Sequence, residues 1–123
     1  MIDHTGVVVS DLQKSRRFYE TALAPLGYAF LFEVPGGEAL GFGEPPKADF
    51  WLARGTPNEP RVHIAFRAKN RATVDAFYRA AIAAGGKDNG GPGLRPHYHA
   101  NYYGAFVLDP DGHNIEACCH SPE

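Results

Sequence analysis

The sequence predicts an α+β protein in which one β-α-β-β-β unit occurs twice. Residues 2–27 align with residues 61–86 without a gap, so that His4 falls on His63. A Phe-Tyr pair marks the same position in both segments, and a glycine ends each of them. The order of strand-like and helix-like segments is also the same in the two halves. These observations together favour an internal duplication.

The first half begins with a β-branched segment, residues 2–9, which predicts a strand. Ser10 and Gln13 have the spacing of a capping box, which predicts that a helix starts there. Apolar residues then recur at helical intervals until Gly27, where the helix is expected to end. Three candidate strands follow, separated by turns that contain proline and glycine: residues 28–34, 40–42 and 49–53.

The second half has the same order of elements. Residues 62–67 predict a strand, and Asn70 is expected to cap a helix that runs to Ala84. A weak strand is expected near Lys87, before a glycine-rich loop at residues 88–101 that accommodates the extra length of this half. The last two predicted strands flank a Pro- and Gly-containing turn: residues 103–108 and 114–118.

Length and charge limit the classes of protein that fit. A chain of 123 residues is one domain, expected to consist of module one, residues 1–57, and module two, residues 60–123. Twelve basic and 14 acidic residues leave no basic excess for nucleic acid, and no apolar run reaches the roughly 18 residues of a membrane span. No secretory signal is recognisable, and the adjacent Cys118 and Cys119 do not favour a disulfide. We therefore expect a cytoplasmic protein with no nucleic-acid or membrane partner.

Strand alternation predicts which side chains share a face of the sheet. The apolar residues of the first and fifth strands are expected to pack on the helices, which leaves His4 and His63 on the other face. The same argument places Glu116 there. Trp51 aligns with Glu116 when the ends of the two halves are superimposed, so it is expected on that face as well.

Two histidines and a glutamate on one sheet face form a possible metal site. Neutral imidazole and carboxylate groups suit divalent Zn, Fe, Mn, Co or Ni. Taken singly, His4 and His63 are equally explained as hydrogen-bonded strand residues, and Glu116 as a solvated one. The duplication favours the metal site, because it predicts that the two histidines are related by symmetry.

Other residues are candidates for a substrate pocket. Arg67 could hold an anionic group with two hydrogen bonds, or be a solvated residue at the end of a strand. Trp51 could form an apolar wall, or simply pack against the sheet. Tyr103 and His99 adjoin the glycine-rich loop, where they would line a pocket or belong to an aromatic surface loop. His99 would then be the possible acid or base.

Several segments match the pattern of a known family, and the last of them is the most specific: residues 2–4, 15–19 with 26–27, 62–66 and 106–116. Through them the chain resembles the vicinal oxygen chelate superfamily, which includes glyoxalase I, bleomycin-resistance proteins and extradiol dioxygenases. The resemblance covers nearly the whole of residues 1–123. It implies two modules that form a cup-shaped mixed sheet with the helices outside. It also implies a divalent metal ion held by His4, His63 and Glu116.

The resemblance implies a small enzyme that chelates neighbouring oxygens of a small-molecule substrate, with lyase, isomerase, transferase or dioxygenase chemistry. Classical glyoxalase I activity is not expected, because Trp51 stands where those enzymes have a glutamate or glutamine ligand. One alternative is a metal-free protein of the bleomycin-resistance kind, which binds and sequesters a ligand. Another is a protein that keeps the ligand set only as structure. A homodimer is expected, since small members of this family commonly pair.

Overall fold

The computed structural model describes all of residues 1–123 as two β-α-β-β-β modules. The elements of module one are β1 (Thr5–Val9), α1 (Leu12–Leu23), a short 3₁₀ turn (Ala24–Leu26), β2 (Ala29–Glu33), β3 (Ala39–Gly43) and β4 (Phe50–Arg54). Those of module two are β5 (His63–Arg67), α2 (Arg71–Ala83), β6 (Lys87–Asp88), β7 (Gly93–Leu94), β8 (Tyr103–Leu108) and β9 (Asn114–Cys119). The α+β prediction is confirmed. Where one strand was expected near Lys87, the chain forms two short ones, β6 and β7.

The strands form two separate sheets with the same topology. The order is β1-β4-β3-β2 in module one and β5-β9-β8-β6 in module two, with β7 also paired to β8. The pairs β1–β4 and β5–β9 are parallel, and all other strand pairs are antiparallel. Gly6 pairs with Trp51, and Ala65 pairs with Glu116. Trp51 and Glu116 therefore occupy the same place in their respective sheets.

The helix starts differ in how closely they follow the sequence prediction. Asn70 caps α2 as expected, and its side chain accepts a hydrogen bond from the Thr73 amide at 2.8 Å. The cap of α1 is Asp11, whose side chain accepts from the Lys14 amide at 3.1 Å, and not Ser10. The Ser10 hydroxyl instead donates to Asp111 in module two. This long-range contact explains why the local capping box does not form.

The two modules share one hydrophobic core of 21 buried residues. Phe50 of β4 lies at its centre, with its ring 5.1 Å from that of Tyr19 and 5.2 Å from that of Phe66 in module two. The Tyr19 hydroxyl donates to the buried Asp109 carboxylate at 2.6 Å, which links α1 to the turn before β9. The modules are therefore joined by a common core and a buried hydrogen bond.

The fully buried His113 makes a second polar link across the boundary between the modules. Its Nδ1 accepts from the Val62 amide at 3.2 Å, and its Nε2 lies 2.9 Å from the Val8 carbonyl oxygen, to which it donates. This contact places the end of β1 beside the start of β5. No helix of the protein is both long and apolar enough to cross a membrane.

Candidate functional site

Each sheet has one face packed on the helices and a second face turned away from them, which we call the open face. Strand register and burial assign the residues of both faces. The open face of module one carries Gly6, Val8, Gly41, Trp51 and Ala53. The open face of module two carries His63, Ala65, Arg67, Gly104, Phe106, Glu116 and Cys118.

Glu116 is the centre of the module-two open face. Its side chain is almost completely buried, with 1% of the residue exposed. Oε1 lies 2.8 Å from His63 Nε2, and Oε2 accepts a hydrogen bond from the Tyr102 hydroxyl. A carboxylate without partners would be costly to bury, so these two contacts explain how it is accommodated here. His63 remains accessible, since 51% of its side chain is exposed.

Tyr102 is a site residue that the sequence analysis missed. Burial, and then its hydrogen bond to Glu116, raises the pKa of the Tyr102 phenol, so the hydroxyl remains a donor at neutral pH. The neighbouring Tyr103, which we expected in the pocket, directs its hydroxyl to Asp75 of α2 at 2.7 Å. Tyr103 pairs with Cys119, whose side chain lies in the core, so it belongs to the helix-packed face.

The edge of this open face is formed by imidazole rings. His99 Nε2 lies 2.8 Å from His120 Nδ1, and the two rings are stacked with centroids 5.1 Å apart. His120 Nε2 in turn lies 3.9 Å from Cys118 Sγ. Burial raises the pKa of the Cys118 thiol, which favours its protonated form. His99 is therefore placed at the edge of the open face, connected to Cys118 through His120.

Arg67 lies on the same face, where it is the cross-strand partner of Cys118. Its side chain is exposed, and it forms no ion pair or hydrogen bond within the chain. The guanidinium is therefore available to bind an anionic group from solution. The neighbours of Glu116 on the adjoining strands are the small Ala65 of β5 and the large Phe106 of β8. Gly104 leaves room for the Glu116 carboxylate and the Tyr102 ring.

His4 lies apart from this group. It precedes β1, is exposed, and places Nδ1 2.7 Å from the Asp3 carboxylate. The hydrogen bonds from His4 and then from Lys47 lower the pKa of Asp3. His4 borders a cavity of about 1020 Å³ between the modules, which Ala65 and Arg67 also line.

The direction of the strands explains this separation. The start of β1 lies toward the end of β5, because Phe50, the β4 partner of Thr5, packs its ring against Phe66 at 5.2 Å. The end of β1 lies beside the start of β5, where His113 connects Val8 to Val62. The two strands therefore run in opposite directions along the boundary. His4 and His63, each at the start of its strand, consequently lie at opposite ends of it.

Within one chain, no three or more His, Cys, Asp and Glu side chains are arranged to hold a metal ion together. The chemistry of the pair His63 and Glu116 fits a divalent ion, since it offers one imidazole nitrogen and one carboxylate oxygen. The number of donors in one chain does not fit such an ion, because His4 lies at the other end of the boundary between the modules.

Trp51 gives the module-one open face its apolar character. Its indole lies over Gly41, where an added Cβ would be only 2.8 Å from the ring. The Phe32 ring packs edge-on against it at 6.1 Å and is 53% exposed. Trp51 is therefore accessible as a wall for a bound molecule, and its indole has no atom that could ligate a metal ion.

The sequence and the fold are similar to those of known proteins. A sequence profile described as "Glyoxalase/Bleomycin resistance protein/Dioxygenase superfamily" matches residues 1–117. A glyoxalase/bleomycin resistance protein from Albidiferax ferrireducens is 27% identical, with a TM-score of 0.80 over 97% of this chain and 98% of that one. None of the curated proteins matches the chain.

Two more distant structures share the fold alone. A lactoylglutathione lyase from Agrobacterium tumefaciens is 19% identical, with a TM-score of 0.72 over 97% of this chain and 92% of that one. A fosfomycin resistance protein from Mesorhizobium loti is 20% identical, with a TM-score of 0.70 over 98% of this chain and 92% of that one.

Proposed function

Because the chain belongs to the glyoxalase/bleomycin resistance protein/dioxygenase superfamily, we propose that it is a metal-dependent enzyme acting on a small substrate. His63, Glu116 and His4 would hold the divalent ion, as Zn, Fe, Mn, Co or Ni. When bound, the ion would supply Lewis-acid stabilisation of charge on two neighbouring substrate oxygens. The reaction would be that of a lyase, isomerase, transferase or dioxygenase.

The observation that supports this proposal most strongly is the environment of Glu116. A buried carboxylate held between an imidazole and a phenol is an arrangement that fixes a ligand in one orientation. It lies beside the small Ala65 of β5 and an accessible His63.

The chain's other residues have roles that follow from their positions. Arg67, unpaired within the chain, would bind an anionic substrate group. Trp51 would form the apolar wall of the pocket, and His99 would move a proton at its edge. Tyr103, which faces Asp75, would support α2 and would not contact substrate.

We propose further that the protein is a homodimer in which His4 comes from the partner chain. One chain holds His4 at one end of the module boundary and His63 with Glu116 at the other. In a twofold dimer, each open face of module two can meet the module-one residues of the partner. This arrangement would complete the three-residue set and place Trp51 opposite Glu116. Both cysteines are free, which supports a reducing, cytoplasmic location.

Metal analysis of protein purified without chelators tests the proposed ion. The wild type is expected to contain a divalent ion, whereas His63→Ala is expected to lose most of it. His97→Ala is the matched control, since His97 is exposed and packs only against Tyr98 at the loop. Equal metal content in the wild type and His63→Ala would contradict the proposal.

Mixing two inactive chains tests the shared site. A dimer of a His4→Ala chain with a Glu116→Gln chain would contain one site with both defects and one intact site. Metal binding that neither variant shows alone is therefore expected to return in part after the chains are exchanged. If the mixture binds no more metal than the separate variants, each site belongs to a single chain or the ligand set is different.

The exposed aromatic pair Trp51 and Phe32 favours one alternative function, the sequestration of a flat or apolar molecule without a metal ion. That function predicts ligand binding that a chelator leaves unchanged and that Trp51→Ala weakens. Loss of ligand binding after chelation would exclude it.

A further inference from the structure

Two imidazoles connect the loop before β8 to the last strand of the protein. His99 lies in that loop, and His120 directly follows β9. His99 Nε2 lies 2.8 Å from His120 Nδ1, and the two rings are stacked. This contact joins two segments that are 21 residues apart in the chain.

A backbone amide fixes the position of each proton in this pair. The Asn101 amide donates to His99 Nδ1 at 3.1 Å, so this nitrogen carries no hydrogen. A neutral His99 then carries its hydrogen on Nε2 and donates it to His120 Nδ1. A neutral His120 in turn carries its hydrogen on Nε2, which faces Cys118 Sγ at 3.9 Å. The Asn101 amide therefore determines the tautomers of both rings.

The arrangement holds only while both imidazoles are neutral. An added proton must occupy either His99 Nδ1 or the second nitrogen of the contact between the rings. On His99 Nδ1 it would face the Asn101 N–H, and between the rings it would set two N–H donors against each other. Either placement replaces a hydrogen bond by a repulsive contact. Because an imidazole has an ordinary pKa of about 6.5, mild acid supplies this proton.

The other titratable groups that face the pair do not change charge near neutral pH. Burial raises the pKa of the Tyr102 phenol and of the Cys118 thiol, so both groups stay protonated. Beyond Cys118 lies its cross-strand partner Arg67, and beyond Tyr102 lies Glu116 with its partner His63. The two imidazoles are therefore the groups of this contact that titrate near neutral pH.

The imidazole pair also encloses Tyr102. The Tyr102 ring meets the His99 ring edge-on at 5.5 Å and the His120 ring edge-on at 5.1 Å. Its third ring neighbour is Tyr98, at 4.8 Å. Parting the two imidazoles would therefore uncover the phenol that donates to Glu116.

We propose that His99 and His120 form a pH-sensitive latch that holds the loop before β8 against the end of β9. The latch is closed when both imidazoles are neutral and open when either is protonated. While it is closed, both nitrogens of His99 are engaged, so the proton transfer proposed for His99 requires it to open. The latch goes beyond the proposed function, since it involves neither a metal ion nor a substrate.

Backbone amide relaxation of residues 97–101 tests the latch between pH 5 and pH 8, values chosen to bracket the ordinary imidazole pKa of about 6.5. In the wild type, order parameters are expected to be about 0.85 at the alkaline end, as in rigid backbone, and to fall toward about 0.6 at the acid end. His120→Ala is expected to be as mobile at the alkaline end as the wild type is at the acid end. His97→Ala, which removes an exposed imidazole outside the pair, should match the wild type throughout.

Long-range nitrogen–proton spectra of the histidine rings give a second measurement that needs no variant. At the alkaline end, both His99 and His120 should carry their hydrogen on Nε2. A hydrogen on His99 Nδ1 there would overturn the latch, as would equal loop mobility at both ends of the range in the wild type. These two wild-type measurements decide the proposal even where a variant fails to fold.

The variants give an independent decision. A loop in His120→Ala that is as rigid as the wild-type loop at the alkaline end would overturn the latch, as would a mobile loop there in His97→Ala alone. Thermal unfolding of each variant identifies mobility that comes from loss of the fold.

Discussion

The open faces of the two modules have the same backbone arrangement and opposite chemistry. Trp51 and Glu116 occupy equivalent places, each beside the parallel first strand of its sheet. Around Trp51 the face is aliphatic and aromatic, whereas around Glu116 it carries imidazole, phenol, thiol and guanidinium groups. The helix-packed faces, in contrast, merge into one core. The helix-packed faces of the two modules thus have the same role in one core, and the modules differ chemically on their open faces.

The largest expected loss of stability comes from removing a side chain at the centre of the shared core. Phe50→Ala removes a ring that contacts Tyr19, Phe42 and Phe66, and should lower the free energy of unfolding by about 3–5 kcal/mol. Because the core spans both modules, urea unfolding should remain a single transition. Phe32→Ala, at an exposed position, should cost less than about 1 kcal/mol. Two separate transitions in Phe50→Ala would show that the modules fold independently.

A smaller effect on stability is expected from the hydrogen bond between Tyr19 of α1 and Asp109 in the turn before β9. Burial, and then the charge of Asp109, raises the pKa of Tyr19 well above its usual value of 10.0. Tyr19 in the unfolded chain ionises near that pH, while the folded protein keeps the proton. Stability from this group is therefore complete below pH 10 and falls as the pH rises beyond it.

Urea unfolding between pH 8 and pH 11, values chosen to bracket the ordinary tyrosine pKa of about 10, measures this effect. The wild type should lose stability across the alkaline part of the range, and Tyr19→Phe should lose less. Identical pH dependence in the two proteins would mean that Tyr19 does not hold its proton in the folded state.

The smallest expected effect tests the apolar wall of module one. Gly41→Ala would place a Cβ 2.8 Å from the Trp51 indole, which must move to accommodate it. Overpacking of this kind costs about 1–3 kcal/mol, less where the ring can shift toward solvent. Since Trp51 is the single tryptophan of the chain, its fluorescence emission should change. Gly91→Ala, with no atom near the added Cβ, is the control. An unchanged emission in Gly41→Ala would mean that Trp51 does not lie over β3.

Much of the fold follows from the sequence, because the duplication imposes the same order of elements twice and alternation assigns most side chains to a face. The placement of His63, Glu116 and Trp51 on the faces turned from the helices could be predicted for this reason. Local sequence patterns did not predict the cap of α1 correctly, because the Ser10 hydroxyl donates to the distant Asp111 and not to the start of the helix.

The candidate site was harder to predict, since its geometry depends on contacts between segments. The partnership of Tyr102 with Glu116 is set by the loop before β8. A shift of one residue there moves a tyrosine to the opposite face, which is why Tyr103 was the expected pocket residue. The separation of His4 from His63 depends on how β1 and β5 run along the module boundary, and sequence periodicity carries no information about that.

The most direct test of the difference between the two open faces is Co²⁺ titration of variants at the equivalent positions. Glu116→Gln should weaken binding at least tenfold, the lower limit of the roughly 10- to 100-fold loss seen when even an outer partner of a ligand is removed. Trp51→Phe should leave the dissociation constant unchanged, because an apolar wall supplies no ligand. Equal affinity in the wild type and Glu116→Gln, or an equal loss in both variants, would contradict the proposal that Glu116, and not its counterpart Trp51, is a metal ligand.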